Sequence, residues 1–289
     1  MALDNKQNIS VGKSFLQDSS FRHVTGSAAY IDDIPLPKNC LHGALVLSDT
    51  ASGTITSLDL KDVKKLDFSS QIISAKDIPG KNDIAPIFSD EPILADKEVT
   101  YVGQPIALVL ASTMEKARLA ARKVNVKIKE NKNPILDLKT AFKRKSFFLK
   151  PILLERGKAI EKINTSDCQL EGSFSIGGQD HFYLETHIAL SIPKENNEYT
   201  IWSSTQHPTE IQHGVSNVLE IPSAKISSKV RRLGGGFGGK ESQSTIYAAI
   251  AALGSHVSSK AVKLRLNRHD DMASSGTVSY THLTLPTKA

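Results

Sequence analysis

The stretch RRLGGGFGGKES, Arg231 to Ser242, places five glycines in six positions around one phenylalanine. Each glycine adds up to about 1 kcal/mol of chain entropy to the cost of folding, so this density implies close approach of backbone to a ligand or to other backbone. Two phosphate chemistries compete for it. Gly234-x-Gly236-x-x-Gly239 fits the dinucleotide fingerprint, between a candidate strand and a candidate helix. The ribose-binding acid is missing, because no carboxylate occurs from Ser242 to His269. Gly234-x-x-x-x-Gly239-Lys240 also fits a phosphate-binding P-loop up to its last position. There Glu241 replaces the magnesium-binding hydroxyl and sets a negative charge beside the phosphates.

Other residues could do chemistry. In HFYLETH, a strand would put His181, Tyr183, Glu185 and His187 on one face, a pattern compatible with a metal site. Packing and hydrogen bonding account for such a face more simply. His207 and His213 read as polar residues near a helix, and Trp202 as packed in a core or against a neighbouring domain. Cys40 and Cys168 are the sole cysteines, read as two buried thiols, and cannot hold an iron-sulfur cluster between them.

The elements that must position these residues fall into two units. In the first, Leu41 to Ser48, Gln71 to Ala75 and Gln104 to Ala111 read as strands. Thr113 caps a helix over MEKARLAARK, and Val124 to Lys129 alternates as a strand, so one sheet with helices on it is expected. Residues 131–157 lack a period, concentrate charge and read as an extended, solvated connection. The second unit is richer in β-structure. LEGSFSI, HFYLETHIALSIP, EYTIWSST, Ala224 to Leu233 and AVKLRLN read as strands, with helices over Thr209 to Val218 and Gln243 to His256, the latter ending near Gly254.

With 289 residues and 39% hydrophobic content, two globular units are affordable without disorder. The net charge of +6 is spread among acids along the whole chain, which argues against nucleic acid as partner. No apolar run approaches the ~20 residues that span a bilayer, and the opening MALDNKQNISVGKS lacks the order of a secretory signal, so a cytoplasmic location without membrane attachment is expected.

GGGFGGKE, with WSSTQHPTEIQ (Trp202 to Gln212), GGQDHFYLET (Gly177 to Thr186), RHVTGSAAYIDDIP (Arg22 to Pro35) and YVGQPIALVLA (Tyr101 to Ala111), resembles the aldehyde oxidase/xanthine dehydrogenase family of molybdenum hydroxylases. The blocks follow the family's order over about residues 10 to 275, and 35 residues separate Gln206 from Glu241, as the family pattern requires. The resemblance implies an α+β (mixed α/β) fold: an N-terminal tail at 1–13, an a/b hammerhead domain at 14–130, a linker at 131–157 and the N-terminal part of the molybdopterin cofactor-binding domain at 158–275. It leaves 276–289 as a non-native tail, with VSYTHLTLPTKA looking like read-through from an adapter.

The resemblance also implies the chemistry. A molybdenum–molybdopterin cofactor would hydroxylate substrate carbon with oxygen from water. No protein side chain would ligate the metal. Gln206 would hydrogen-bond an oxo ligand of the metal, Gly236, Phe237 and Gly238 would bring backbone to the cofactor, and Glu241 would orient substrate. A carboxylate at Glu241 favours purines, hypoxanthine or xanthine, over aldehydes or other N-heterocycles. The family's general base and an assisting arginine lie beyond residue 289, so this chain by itself is expected to be inactive. FAD and [2Fe-2S] clusters are implied on a partner subunit or further domain, giving a hetero-oligomer with NAD as electron acceptor. A P-loop nucleotide module and a non-catalytic assembly domain are the alternatives from other classes.

Overall fold

The computed structural model describes residues 12–85, 89–173 and 177–276. In chain order the elements are α1 (Ser20–Val24), β1 (Leu41–Leu47), β2 (Gly53–Asp59), β3 (Ser70–Ser74), β4 (Glu98–Val99), β5 (Pro105–Ala111), α2 (Met114–Lys123), β6 (Asn125–Glu130), α3 (Leu138–Lys143), α4 (Ala159–Asn164), β7 (Ile188–Pro193), β8 (Tyr199–Ser203), α5 (Pro208–Leu219), β9 (Ile226–Lys229), α6 (Gln243–Ser258), β10 (Val262–Arg265) and α7 (Arg268–Ser274).

A seven-stranded sheet runs β3-β5-β1-β10-β7-β8-β9, and a separate three-stranded sheet runs β4-β2-β6. The large sheet unites the two units expected from the sequence. β10 pairs parallel to β1, with Leu41 opposite Val262 and Gly43 opposite Leu264, and antiparallel to β7 on its other side. Every residue of β5 is buried, as a continuous apolar run between neighbours requires.

Helices fill both sides of this frame according to their sequences. Thr113 caps α2 by accepting from the Lys116 N–H at 3.3 Å, and the small side chains of Ala117, Ala120 and Ala121 let the helix sit close to the sheet. In α6 every residue from Ser244 to Ser255 is buried, as befits a helix apolar around most of its circumference. Gly254 does not end α6; it permits contact with Leu108 and Val262, and the helix stops at Ser259 in the left-handed region.

The structure corrects several expectations. β5, α2 and β6 do not build one sheet, because β6 leaves for the small sheet beside β2. Residues 181–187 of HFYLETH are not a strand, and Ala224 to Leu233 pairs only over Ile226–Lys229. Within LEGSFSI, residues 170–173 are irregular and 174–176 lie outside the described residues. The connection contains the short α3, and its apolar side chains are exposed along with its charges: Leu138 is 88% and Leu154 92% accessible. Cys168 is exposed and Cys40 only half-buried, so the thiols are not the buried pair expected. Trp202 is half-buried on β8, with the Lys229 ammonium 5.5 Å from its ring centre. Most of the expected non-native tail, 277–289, lies outside the described residues.

Candidate functional site

The glycine loop lies between β9 and α6 and is held from two directions. From one side comes the β8–α5 connection. The Gln206 N–H donates to the Lys240 carbonyl at 2.8 Å, while the Gly238 and Lys240 N–H groups donate to Gln206 Oε1 at 3.0 and 3.2 Å. Two backbone donors fix the orientation of the carboxamide, because only its oxygen can accept. Its Nε2 has no protein partner among the described residues and sits on an exposed side chain. Thr205 and Ser244 hydroxyls also donate to the Lys240 carbonyl, at 3.3 and 3.0 Å.

From the other side comes the segment 181–187. Glu185 pairs with Gly234 through both backbone and side chain: its N–H donates to the Gly234 carbonyl at 3.0 Å, and its Oε2 accepts from the Gly234 N–H at 2.8 Å. The same carboxylate faces Lys240 Nζ at 3.2 Å, and the Glu185 carbonyl accepts from that ammonium at 2.6 Å. Lys240 is wholly buried over the Tyr183 ring. Burial pushes its pKa below the ordinary lysine value, against the opposing pull of Glu185. A P-loop lysine must reach outward to phosphates; this one points into the core. The nucleotide-binding alternative therefore loses its principal cation.

The glycines have internal reasons. A Cβ at Gly236 would lie 2.6 Å from Gln206 Oε1, and one at Gly239 would lie 2.7 Å from atoms of both the His181 and Tyr183 rings. The backbone is bare first so that it can lie against the protein's own side chains. At the tip, Phe237 adopts φ +51° and is 72% exposed, so the loop presents an aromatic ring outward with Gly238 half-buried beside it, while Gly236 is buried against Gln206. Glu241 follows, exposed, its N–H donating to the Gly238 carbonyl at 3.4 Å, just before Ser242 opens α6. Thus Gln206, Gly236 and Gly238 meet directly, and Glu241 lies one turn further along the same loop.

The four residues read as one strand face do converge, though not as a strand. Phe182 takes φ +47°, and the inward side chains keep a period of two because Phe182 and Leu184 are exposed between them. His181 stacks on Tyr183 with ring centres 6.1 Å apart. Tyr183 donates to Asp271 Oδ1 at 2.7 Å, and its oxygen lies 2.9 Å from His187 Nδ1. Asp271 Oδ2 accepts from the His187 backbone N–H at 2.5 Å and faces Nδ1 at 3.2 Å. With the tyrosine proton committed to Asp271, the network places a proton on Nδ1. Burial lowers the pKa of His187, keeping it neutral, and burial together with Asp271 raises that of Tyr183. Among the described residues no cluster of three His, Cys, Asp or Glu side chains is arranged to hold a metal ion. His207 bonds Glu210 at 2.8 Å at the start of α5, and His213 is exposed on that helix.

Sequence reasoning missed Asp271 and the inward turn of Lys240. The signal for Asp271 was weak. Asn267 caps α7 through the Asp270 N–H at 2.8 Å, which turns the second of two adjacent aspartates inward. Nothing local distinguishes an inward Lys240 from a P-loop lysine. Two of the quoted blocks hold the frame instead of the site. Asp32 ion-pairs with Lys263 at 2.5 Å and Arg265 at 2.8 Å on β10, and the wholly buried Gln104 accepts from the Thr100 N–H at 2.7 Å.

Comparison with known proteins agrees with this architecture. Residues 25–132 match the aldehyde oxidase and xanthine dehydrogenase a/b hammerhead domain, and 143–287 the molybdopterin cofactor-binding domain. The chain is 39% identical to a xanthine dehydrogenase of Oryza sativa subsp. japonica over 275 residues, which are 94% of this chain and 20% of that protein. It is equally, 39%, identical to aldehyde oxidase 2 of Macaca fascicularis over 267 residues, 92% of this chain and 20% of that one. Its fold is similar to that of quinoline 2-oxidoreductase from Pseudomonas putida 86, with a TM-score of 0.79 at 23% identity over 92% of this chain and 36% of the other. The chain spans about a fifth of the length of the curated relatives it matches. An a/b hammerhead domain followed by molybdopterin cofactor-binding sequence, on an α+β frame, places this chain in the aldehyde oxidase/xanthine dehydrogenase family of molybdenum hydroxylases.

Proposed function

We propose that this chain supplies the molybdopterin-facing part of a purine hydroxylase acting on hypoxanthine and xanthine. The observation that supports it most is the position of Glu241: an exposed carboxylate that follows directly on a loop whose backbone is locked to Gln206. The residues fit a cofactor in that place. The Gln206 carboxamide has its oxygen occupied by two loop N–H groups and its Nε2 free to donate, while an exposed Phe237 and a half-buried Gly238 form the loop tip beside it.

When bound, the molybdenum–molybdopterin group supplies two-electron oxidation of a substrate carbon with oxygen derived from water. Gln206 donates from Nε2 toward that group and, being held by the loop, does so from a fixed direction. Gly236, Phe237 and Gly238 set how near the backbone comes. Glu241 binds the ring nitrogens of a purine and stabilises the charge that builds on the ring during reaction. The reading carries with it FAD and [2Fe-2S] clusters on a partner subunit or further domain, NAD as acceptor, a hetero-oligomer and a cytoplasmic location.

An aldehyde or other N-heterocycle hydroxylase is the second reading, favoured by the equal identity to a xanthine dehydrogenase and an aldehyde oxidase. A substrate panel on the molybdenum-loaded intact protein separates the two. We expect purines to be turned over best, and Glu241→Ala to reduce purine kcat/KM by about 100-fold, near 2.7 kcal/mol of transition-state stabilisation. Retention of purine turnover in that variant would overturn the role given to Glu241.

A further inference from the structure

Lys240 is the one residue of the loop that touches both of its anchors. Its side chain is drawn wholly into the interior by Glu185, through the carbonyl at 2.6 Å and the carboxylate at 3.2 Å. Its backbone N–H donates to Gln206 Oε1, and its backbone carbonyl accepts the Gln206 N–H. Glu185 grips the opposite end of the loop as well, at Gly234. A buried ammonium without its carboxylate would be strongly unfavourable, so the Glu185 position dictates where Lys240 lies, and Lys240 dictates where the Gln206 carboxamide lies.

We propose that Glu185, acting through Lys240, is a positioning residue that fixes the direction in which Gln206 Nε2 donates. This rests on the cofactor-facing role of Gln206 given above. A buried ion pair can also serve stability alone, and the two roles separate when both charges are removed together. Glu185→Gln/Lys240→Met leaves no unpaired buried charge, so thermal stability should return close to that of the parent even where each single variant is destabilised. The Lys240 side chain would then no longer be drawn to Glu185.

The test compares this double variant, each single variant and Gln206→Ala in the intact protein. Hydrogen exchange of the 234–241 segment is followed in cofactor-free protein, and kcat and KM for xanthine in loaded protein. We expect the double variant to recover stability while its Gly238 and Lys240 amides exchange about tenfold faster, with β5 amides unchanged, and kcat about tenfold lower at nearly constant KM, the size of effect typical of groups that orient a metal's surroundings. Adding Gln206→Ala to the double variant should lower kcat no further than Gln206→Ala alone. Recovery of parental exchange and kcat together with stability would overturn the proposal, leaving the pair a structural one. Should the double variant fail to fold, Glu185→Asp, which keeps both charges of the pair and shortens its reach by one methylene, carries the exchange comparison: faster Gly238 and Lys240 exchange at parental stability supports the proposal and parental exchange overturns it. If Gln206→Ala leaves turnover intact, the functional reading fails on its own, and the exchange result still decides whether Glu185 sets the loop.

Discussion

A methyl group at Gly239 would stand 2.7 Å from the His181 and Tyr183 rings, and Tyr183 cannot retreat because Asp271 and His187 hold its hydroxyl. At Gly236 the obstacle is the Gln206 side chain from Cγ to Oε1, held by two loop N–H groups. The two neighbouring substitutions should therefore fail differently. Gly239→Ala is expected to destabilise by about 1–3 kcal/mol in urea unfolding, the usual cost of overpacking. Gly236→Ala should instead push the carboxamide aside and break its two bonds from the loop N–H groups, lowering kcat about tenfold. The glycine density was legible in the sequence, and so was the demand for close backbone approach. What the backbone approaches was not, because Glu185 and Gln206 come from segments about 30 to 50 residues away whose side-chain directions no local pattern fixes.

The segment 181–187 and α7 stabilise one another through buried polar groups, and their titration gives this pair of elements a pH dependence. Burial keeps the folded-state pKa of His187 below its ordinary value, so its contribution is complete above an unfolded value of about 6.5 and is lost as pH falls toward the folded one. For Asp271 burial alone would raise the carboxyl, but bonds from His187 and Tyr183 hold it lower. Its contribution is present above about pH 3.9 and is lost as pH falls through its lower folded value. Both signs agree: acidification from neutrality weakens the fold, the histidine first. Unfolding free energy measured against pH should be level near neutrality and decline below about pH 6.5, and His187→Asn should flatten the first part of that decline. Elements with a clear local signature were readable, namely β5 as a continuous apolar run and α2, α5 and α6 as helices. HFYLETH misled because its inward side chains recur every second residue without strand pairing, Phe182 and Leu184 turning out between them.

At the scale of the molecule, the parallel pair β1–β10 joins strands more than 200 residues apart and makes one sheet of what the sequence suggests as two units. Leu264 is wholly buried at this junction. Leu264→Ala should cost about 2–5 kcal/mol. Because the sheet is shared, hydrogen exchange should show β5 and β8 losing protection together, whereas protection lost only in β7–β9 would indicate two independent units. The Asp32 pairs with Lys263 and Arg265 support the same junction, and burial of Lys263 gives its pair with Asp32 more consequence than an exposed one.

Local sequence was sufficient for the elements with a clear apolar signature, for the glycine loop as a place of close approach and, through five blocks in order, for the family, because apolar patterning and glycine density act over a few residues. The tertiary structure alone decided that the loop is bare to meet Glu185, Gln206 and the Tyr183 ring, that Lys240 turns inward, and that Asp271 closes a buried network. Those outcomes depend on which distant segments share an interior, where an unpaired charge or polar group costs several kcal/mol and so selects its partner from anywhere in the chain.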